Sequence, residues 1–500
     1  MKLDPLSIPY RAGESVVRLA WVLVIAFIGT SGLEGPGGIG LLVVGWFVIA
    51  IGYQLIYYQR FDYELTEDTL DIASGVVSRR QREIPIRRVQ NVDISRNVVQ
   101  RVLGLSRIDL ETAGGSSTEG SLRYVSTEEA QRLQSEIARL KRGETEGEET
   151  PESAAERELF AITPKELGLL GVIGIDLRLL GFVTVILPVV FPSVQRRFGD
   201  PFQDPLLALA TTAPLVALAI VAVTAAISGA IAVTNYYDFH LSRRGDELLY
   251  ERGLLQRFSG SIPLEKIQTL AISENVIARR LGYASLAVET AGYAPGDAGS
   301  QSAIPLADRA RVLSLGQSVE AFDDLEFERP PKRARERYIV RYAIVVALFV
   351  GIAYAVDRWT GLTFAWYAIA SLLAVVPVAA HLKWRNLGYD VQDEYVVLQE
   401  GFWTRTITVV PYYRVQTVVD SQSIFQRRRR LATLVVDTAG TSGLTSGQPR
   451  ALDIDAETAR ALRETVADRL QASLARRREE RRRERLTSIT AESPETASDD

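Results

Sequence analysis

The stretch REIPIRRVQNV (Arg82–Val92) returns twice in the same chain, as GSIPLEKIQTL (Gly260–Leu270) and as TVVPYYRVQTV (Thr408–Val418). Each copy keeps a Pro, two further residues, a cation, a branched apolar residue and a Gln. Working outward, the register holds without a gap. Gly75, Arg79, Pro85 and Gln90 become Gly253, Arg257, Pro263 and Gln268, then Gly401, Arg405, Pro411 and Gln416. Glu111 to Gly114 reads ETAG, and the same positions of the later copies read ETAG from Glu289 and DTAG from Asp437. Such a fixed register is the signature of internal duplication.

Each copy reads as antiparallel strands closed by one helix. FDYELTEDTLDIASG (Phe61–Gly75) and SRIDLETAG (Ser106–Gly114) alternate apolar and polar residues, as half-buried strands do. Gly/Ser-rich loops follow, and then a helix. In the first copy Ser126 and Glu129 form the spacing of a capping box. The later helices are expected to begin near Leu306 and Asp455. The third copy departs at one turn, where Arg430 stands in the place of Gly104 and Gly282. A turn that needs a glycine-like backbone is therefore open to question there.

Apolar residues are segregated into three pairs of stretches, one pair before each copy: 21–33 with 36–58, 179–191 with 205–234, and 342–356 with 361–382. With their flanks each approaches the roughly 20 residues that a helix needs to cross a bilayer. They are read as six spans in three hairpins. The first is not read as a cleaved leader, because no small-residue cleavage site follows it.

Composition removes several chemistries. The chain has no Cys, only His240 and His381, and a net charge of −4. Thiolate sites, His-rich metal centres and a chain-wide attraction for nucleic acid are thereby excluded. No phosphate-binding glycine loop, nucleophile elbow or HExxH pattern occurs. No enzyme activity, cofactor or metal is expected.

The alternation of hairpins with β-rich units resembles the bacterial pleckstrin-homology-like membrane-flanked domain family, from about Val16 to about Ser473. The resemblance implies a multi-domain membrane protein in which three transmembrane helical hairpins alternate with three small β-rich PH-like domains. The expected boundaries are hairpins at 16–58, 167–235 and 338–383, and PH-like domains at 60–142, 236–322 and 386–473. An acidic linker fills 143–163, a second linker 323–337, and a charged tail, read as a solvated helix fraying into disorder, 474–500. The family carries no defined biochemical activity, so the resemblance supplies architecture more than mechanism.

Lys2, Arg11 and Arg18 precede the first hairpin, whose loop carries no cation. The positive-inside rule then places the N-terminus, the three modules and the C-terminus in the cytoplasm of a multi-pass cell-membrane protein. Arg79, Arg80, Arg88, Arg257, Lys266, Arg405 and Arg414 are the candidate contacts to lipid headgroups or a partner. A cation near an anionic leaflet contributes about 1 kcal/mol. The competing reading pairs the same cations with neighbouring acids such as Glu83 or Glu265.

The function expected is a non-enzymatic membrane scaffold whose modules bind anionic headgroups or partner proteins, another membrane protein or a second copy among them, and no nucleic acid. The alternative is a component of a transporter or export system, resting on Asp176 and Arg178. These lie either inside the third span or along the interface behind an entry helix at Pro164.

Overall fold

The computed structural model describes residues 1–15, 36–112, 120–142, 156–174, 205–290, 301–360, 367–439 and 448–491. The expected first and third spans (21–33 and 179–191), with Asp176 and Arg178, lie outside these residues. Among the described residues one helix, Lys332–Thr360, is long and apolar enough to cross a membrane. Helices Pro36–Arg60 and Pro205–Tyr236 precede the first and second repeats. Helix Pro164–Ile173 is present at the proposed entry, opened by a capping box between Thr163 and Glu166. Its Gly171 approaches Gly229 so closely that a Cβ there would lie 3.2 Å from the Gly229 Cα.

Each repeat folds as two groups of three antiparallel strands and a closing helix. The first has β1 (Asp62–Leu65), β2 (Thr69–Ser74) and β3 (Arg80–Pro85), then β4 (Val89–Asn97), β5 (Leu105–Thr112) and β6 (Gly120–Ser126). Helix Thr127–Arg142 closes it, with the Glu129 amide donating to Ser126 Oγ as the capping box requires. A short strand from the acidic linker, β7 (Arg157–Ala161), precedes the second repeat. That repeat comprises β8 (His240–Arg244), β9 (Glu247–Arg252), β10 (Gln256–Pro263), β11 (Ile267–Asn275), β12 (Tyr283–Thr290), β13 (Gln301–Asp308) and helix Arg309–Val319. The third comprises β14 (Gly388–Val391), β15 (Tyr395–Gly401), β16 (Thr404–Pro411), β17 (Val415–Ser421), β18 (Leu431–Thr438), β19 (Arg450–Asp455) and helix Ala456–Ala491. The last helix runs on through the charge-alternating run, where Arg483 and Glu479 pair one turn apart at 2.5 Å.

The duplicated motif is the corner between the two strand groups. Pro85, Pro263 and Pro411 each end a third strand, where a missing N–H is tolerated. One 3-10 turn follows (Ile86–Arg88, Leu264–Lys266, Tyr412–Arg414), and the fourth strand starts at once. The same hydrogen bond pins all three corners: Ile86 N to Asp68 O, Leu264 N to Asp246 O and Tyr412 N to Glu394 O, at 2.8–3.0 Å. The conserved-register glycines sit one strand earlier. Gly75, Gly253 and Gly401 adopt φ of +116°, +108° and +128°, and a Cβ at any of them would lie 1.9 Å from a backbone oxygen. The turn at Arg430 is retained with φ +52°, beside +68° at Gly104 and +78° at Gly282. Its carbonyl still accepts the helix-opening N–H, from Ala456, as Gly104 and Gly282 do from Thr127 and Arg309.

Strand pairing does not respect repeat boundaries. In the compact unit Met1–Lys266, β10 of the second repeat pairs with β4 of the first, giving a seven-stranded sheet β6-β5-β4-β10-β9-β8-β7. In the unit Ile267–Asp500, β16 of the third repeat pairs with β11 of the second, giving β13-β12-β11-β16-β15-β14. Two three-stranded sheets remain: β1-β2-β3 in the first unit and β17-β18-β19 in the second. The core of the first repeat sets Leu133 and Ile137 of its helix against Leu70, Ile84, Val89 and Leu110. Leu462 and Val466 do the same against Val410, Val415, Leu434 and Val436 in the third. Each such side chain contributes about 1.5–3 kcal/mol when fully buried.

Candidate membrane-surface site

Helix Pro36–Arg60 meets the first repeat beside a cleft of about 580 Å³. Arg11 lies at its base, with its guanidinium carbon 4.4 Å from the Tyr57 ring centre and 4.7 Å from that of Tyr124. A guanidinium held over two ring faces gains cation–π attraction, which strengthens as water is excluded. Arg11 Nη2 also donates to the Arg123 carbonyl at 3.5 Å.

Tyr124 is the hinge of the site. Its backbone takes φ +74°, an unusual conformation for an aromatic residue and one often found at functional positions. Its hydroxyl donates to Glu14 at 2.8 Å. Burial, reinforced by that bond and the Glu14 charge and partly opposed by Arg11, pushes its hydroxyl up to about 12.

Three residues that line this cleft carry a polar atom buried without a hydrogen-bond partner: Arg11 Nε, Gln54 Oε1 and Ser121 Oγ. Each such atom costs about 1–3 kcal/mol if left dry. Together they offer one charged donor, one acceptor and one hydroxyl, and Trp46 and Tyr53 continue the wall along the helix. Trp46 lies eleven residues before Tyr57, which at 1.5 Å per residue is about 16 Å into the apolar stretch. The cleft is thus polar at the soluble end and aromatic along the helix.

In the sequence Arg11 stands only as a cation preceding the first hairpin. Nothing local to Arg11 or Tyr57 tied them to Tyr124, more than sixty positions later. The cations singled out by register fall into two places. Arg88, Lys266 and Arg414 occupy the 3-10 corners. Arg88 is exposed, Lys266 lies 3.4 Å from Glu265, and Arg414 sits over the Tyr413 ring at 4.6 Å.

Arg79, Arg257 and Arg405 stand where the third strand begins. Arg79 and its neighbour Arg80 are exposed. Arg257 contacts Glu251 at 2.8 Å and Asp238 at 3.5 Å. Arg405 pairs at 2.5 Å with Glu274, whose side chain is fully buried, and Arg309 holds the other carboxylate oxygen at 2.8 Å. In the first junction the corresponding pair is Arg257 across from Arg96, cation facing cation. Burial, and then the Arg257 charge, lower the Arg96 pKa from its ordinary value.

Among the ETAG positions, Glu289 lies buried in the second repeat. Thr269 Oγ1 donates to Glu289 at 2.5 Å inside the sheet, and burial raises the Glu289 pKa against that bond.

The family model for the bacterial PH domain matches the chain in three segments, residues 16–141, 181–322 and 339–476. The chain belongs to the bacterial PH domain family. It is similar to the UPF0699 transmembrane protein YdbT of Bacillus subtilis (strain 168), with 26% identity over 477 residues, covering 88% of this chain and 93% of the relative. It is also similar to the UPF0699 transmembrane protein YdbS of the same organism, with 28% identity over 115 residues, covering 22% of this chain and 70% of that relative. No solved structure matches. This bacterial PH-domain chain is thus a repeated-domain transmembrane protein, and the three matched segments each take in one of the β-rich repeats.

Proposed function

We propose that the protein is a non-enzymatic scaffold of the cell membrane, whose three PH-like modules lie on the cytoplasmic face and hold anionic phospholipid headgroups there. The Arg11 cleft is the observation that carries this reading. A phosphate diester offers acceptors to Arg11 Nε, and a headgroup hydroxyl offers a donor to Gln54 Oε1, which satisfies two orphaned atoms at once. The aromatic wall of Trp46 and Tyr53 suits the glycerol and upper acyl region. Exposed Arg88 adds long-range attraction.

Sharing of strands between consecutive repeats supports a common side for all three modules, since β10 can reach β4 only if both repeats face the same compartment. The cations at the N-terminus then favour the cytoplasm.

The test is native mass spectrometry of the full chain, released from detergent with phosphatidylglycerol or phosphatidylcholine added. Wild type should retain phosphatidylglycerol preferentially, and Arg11→Gln should lose most of that preference while remaining folded. Equal retention of the two lipids by wild type would overturn the lipid reading and leave these surfaces to protein partners.

A further inference from the structure

The two junctions between repeats are built in one register. At the first, Phe258 lies opposite Ser95 and Ser259 opposite Ile94. At the second, Thr406 lies opposite Ser273 and Ile407 opposite Ile272. These are the same four repeat positions, since Ser95 corresponds to Ser273 and Phe258 to Thr406 in the ungapped register. Each junction therefore takes the fourth strand of one repeat and the third strand of the next.

One half of such a junction is left over at each end of the chain. β17 is the fourth strand of the last repeat, and β3 is the third strand of the first. Each lies at the edge of its sheet, with no partner strand among the described residues. The burial pattern agrees. Val419 is 47% exposed, whereas Ala271 at the same position of β11 is 9% exposed. Thr417 is exposed, while its counterparts Asn91 and Thr269 are buried. On the other strand Arg80 and Gln81 are exposed, while Ile407, the counterpart of Gln81, is buried.

An uncovered edge of this kind is a template for another strand. We propose that β17 of one molecule receives β3 of a second copy in the register of the internal junctions, so that chains join head to tail in the membrane plane. Arg80 would then lie opposite Ser421, Arg79 opposite Gln422, and Arg82 opposite Val419. Two copies joined symmetrically through β3 would instead set Arg80 and Arg82 among their own like charges, which is unfavourable across a strand pair. β17 supplies no cation, and Asp420 lies opposite Gln81, between the two arginines. Because the contact is heterologous, it yields an open row or a closed ring according to the angle at each joint. The inference is independent of the lipid reading.

The absence of native Cys makes the register directly readable. Ser273 and Thr406 touch through their hydroxyls at 3.4 Å, so Ser273→Cys with Thr406→Cys gives an intramolecular control for disulfide closure. The test pair is Arg80→Cys with Ser421→Cys in one full-length chain, oxidised in native membranes. A ladder of dimers and higher species is expected from the double variant, and no disulfide-linked dimer from either single variant. Val419→Lys should thin the ladder several-fold by facing Arg82, while Val419→Asp should preserve it, a dependence on sign that mere loss of folding would not give. Closure of the control without any ladder would overturn the proposal. So would a disulfide-linked dimer from Arg80→Cys alone or from Ser421→Cys alone.

Discussion

Removing the Glu274 carboxylate should open the junction between the second and third repeats while leaving the sheet β17-β18-β19 intact. Its side chain is fully buried, and two guanidinium groups, Arg309 and Arg405, each hold one oxygen. Breaking a buried pair by deleting one partner costs about 3–5 kcal/mol, because the remaining charge keeps its desolvation cost. Arg309 is 40% exposed and Arg405 21%, so both can recover some hydration. That lowers the expectation to about 2–4 kcal/mol for Glu274→Ala. If opening of the junction governs exchange, amides of β11 and β16 should exchange roughly 30- to 1000-fold faster, at about 1.4 kcal/mol per factor of ten. The assay is hydrogen–deuterium exchange of the full chain in detergent, read on peptides spanning 267–275 and 404–411. Arg405→Ala should produce a smaller effect in the same peptides, and the double variant should fall short of the sum. Exchange accelerated less than threefold in these peptides, or accelerated equally in 431–438, would refute the assignment of Glu274 as the clamp of this junction.

Three further outcomes follow from the same geometry. Arg96→Glu would give the first junction the acid that the second one has, and should slow exchange in β4 and β10 by several-fold, about 0.5–1 kcal/mol, because Arg257 then faces an opposite charge. Arg430→Gly relieves a left-handed backbone costing about 1–2 kcal/mol but adds freedom to the unfolded chain. The net expectation is a gain of about 0.5–1 kcal/mol, visible as slower exchange around 424–438.

Glu289 supplies the pH dependence. Its folded pKa is raised above the ordinary 4.5 by burial, so the folded state holds the proton more tightly than the unfolded state does. Stability of the β11–β13 sheet should therefore fall as pH rises from about 4.5 through the raised value, and Glu289→Gln should flatten that slope in unfolding curves between about pH 4 and 8.

The repeat was legible because its strongest constraints are local. Gly75, Gly253 and Gly401 must be glycine to hold their turns, and Pro85, Pro263 and Pro411 mark strand ends, so their spacing survives in any sequence that folds this way. Alternation along β2 and β5 gave the strands, and Ser126 with Glu129 gave the start of a helix. Which strand pairs with which was not legible. Periodicity along one strand carries no information about its neighbour, and the junction residues differ between copies: Arg96, Glu274 and Gln422 share one position. For the same reason Arg405 could be recognised as a repeated cation but not as the partner of Glu274. The Arg11 cleft escaped because its wall joins residues from the N-terminus, helix Pro36–Arg60 and β6. The turn at Arg430 shows the opposite case, where tertiary structure holds a backbone that the residue alone disfavours.

A bilayer-impermeant maleimide would test most directly whether the three strand-sharing modules stand together on the inner face of the membrane. Because the chain has no native Cys, single Cys residues at the exposed positions Glu128, Glu265 and Glu457 report on the three repeats separately. In intact cells all three should stay unlabelled, and all three should react once the membrane is opened. Labelling of any one of them in intact cells would contradict the account, since a module on the outer face could neither share strands with its neighbour nor meet the inner leaflet.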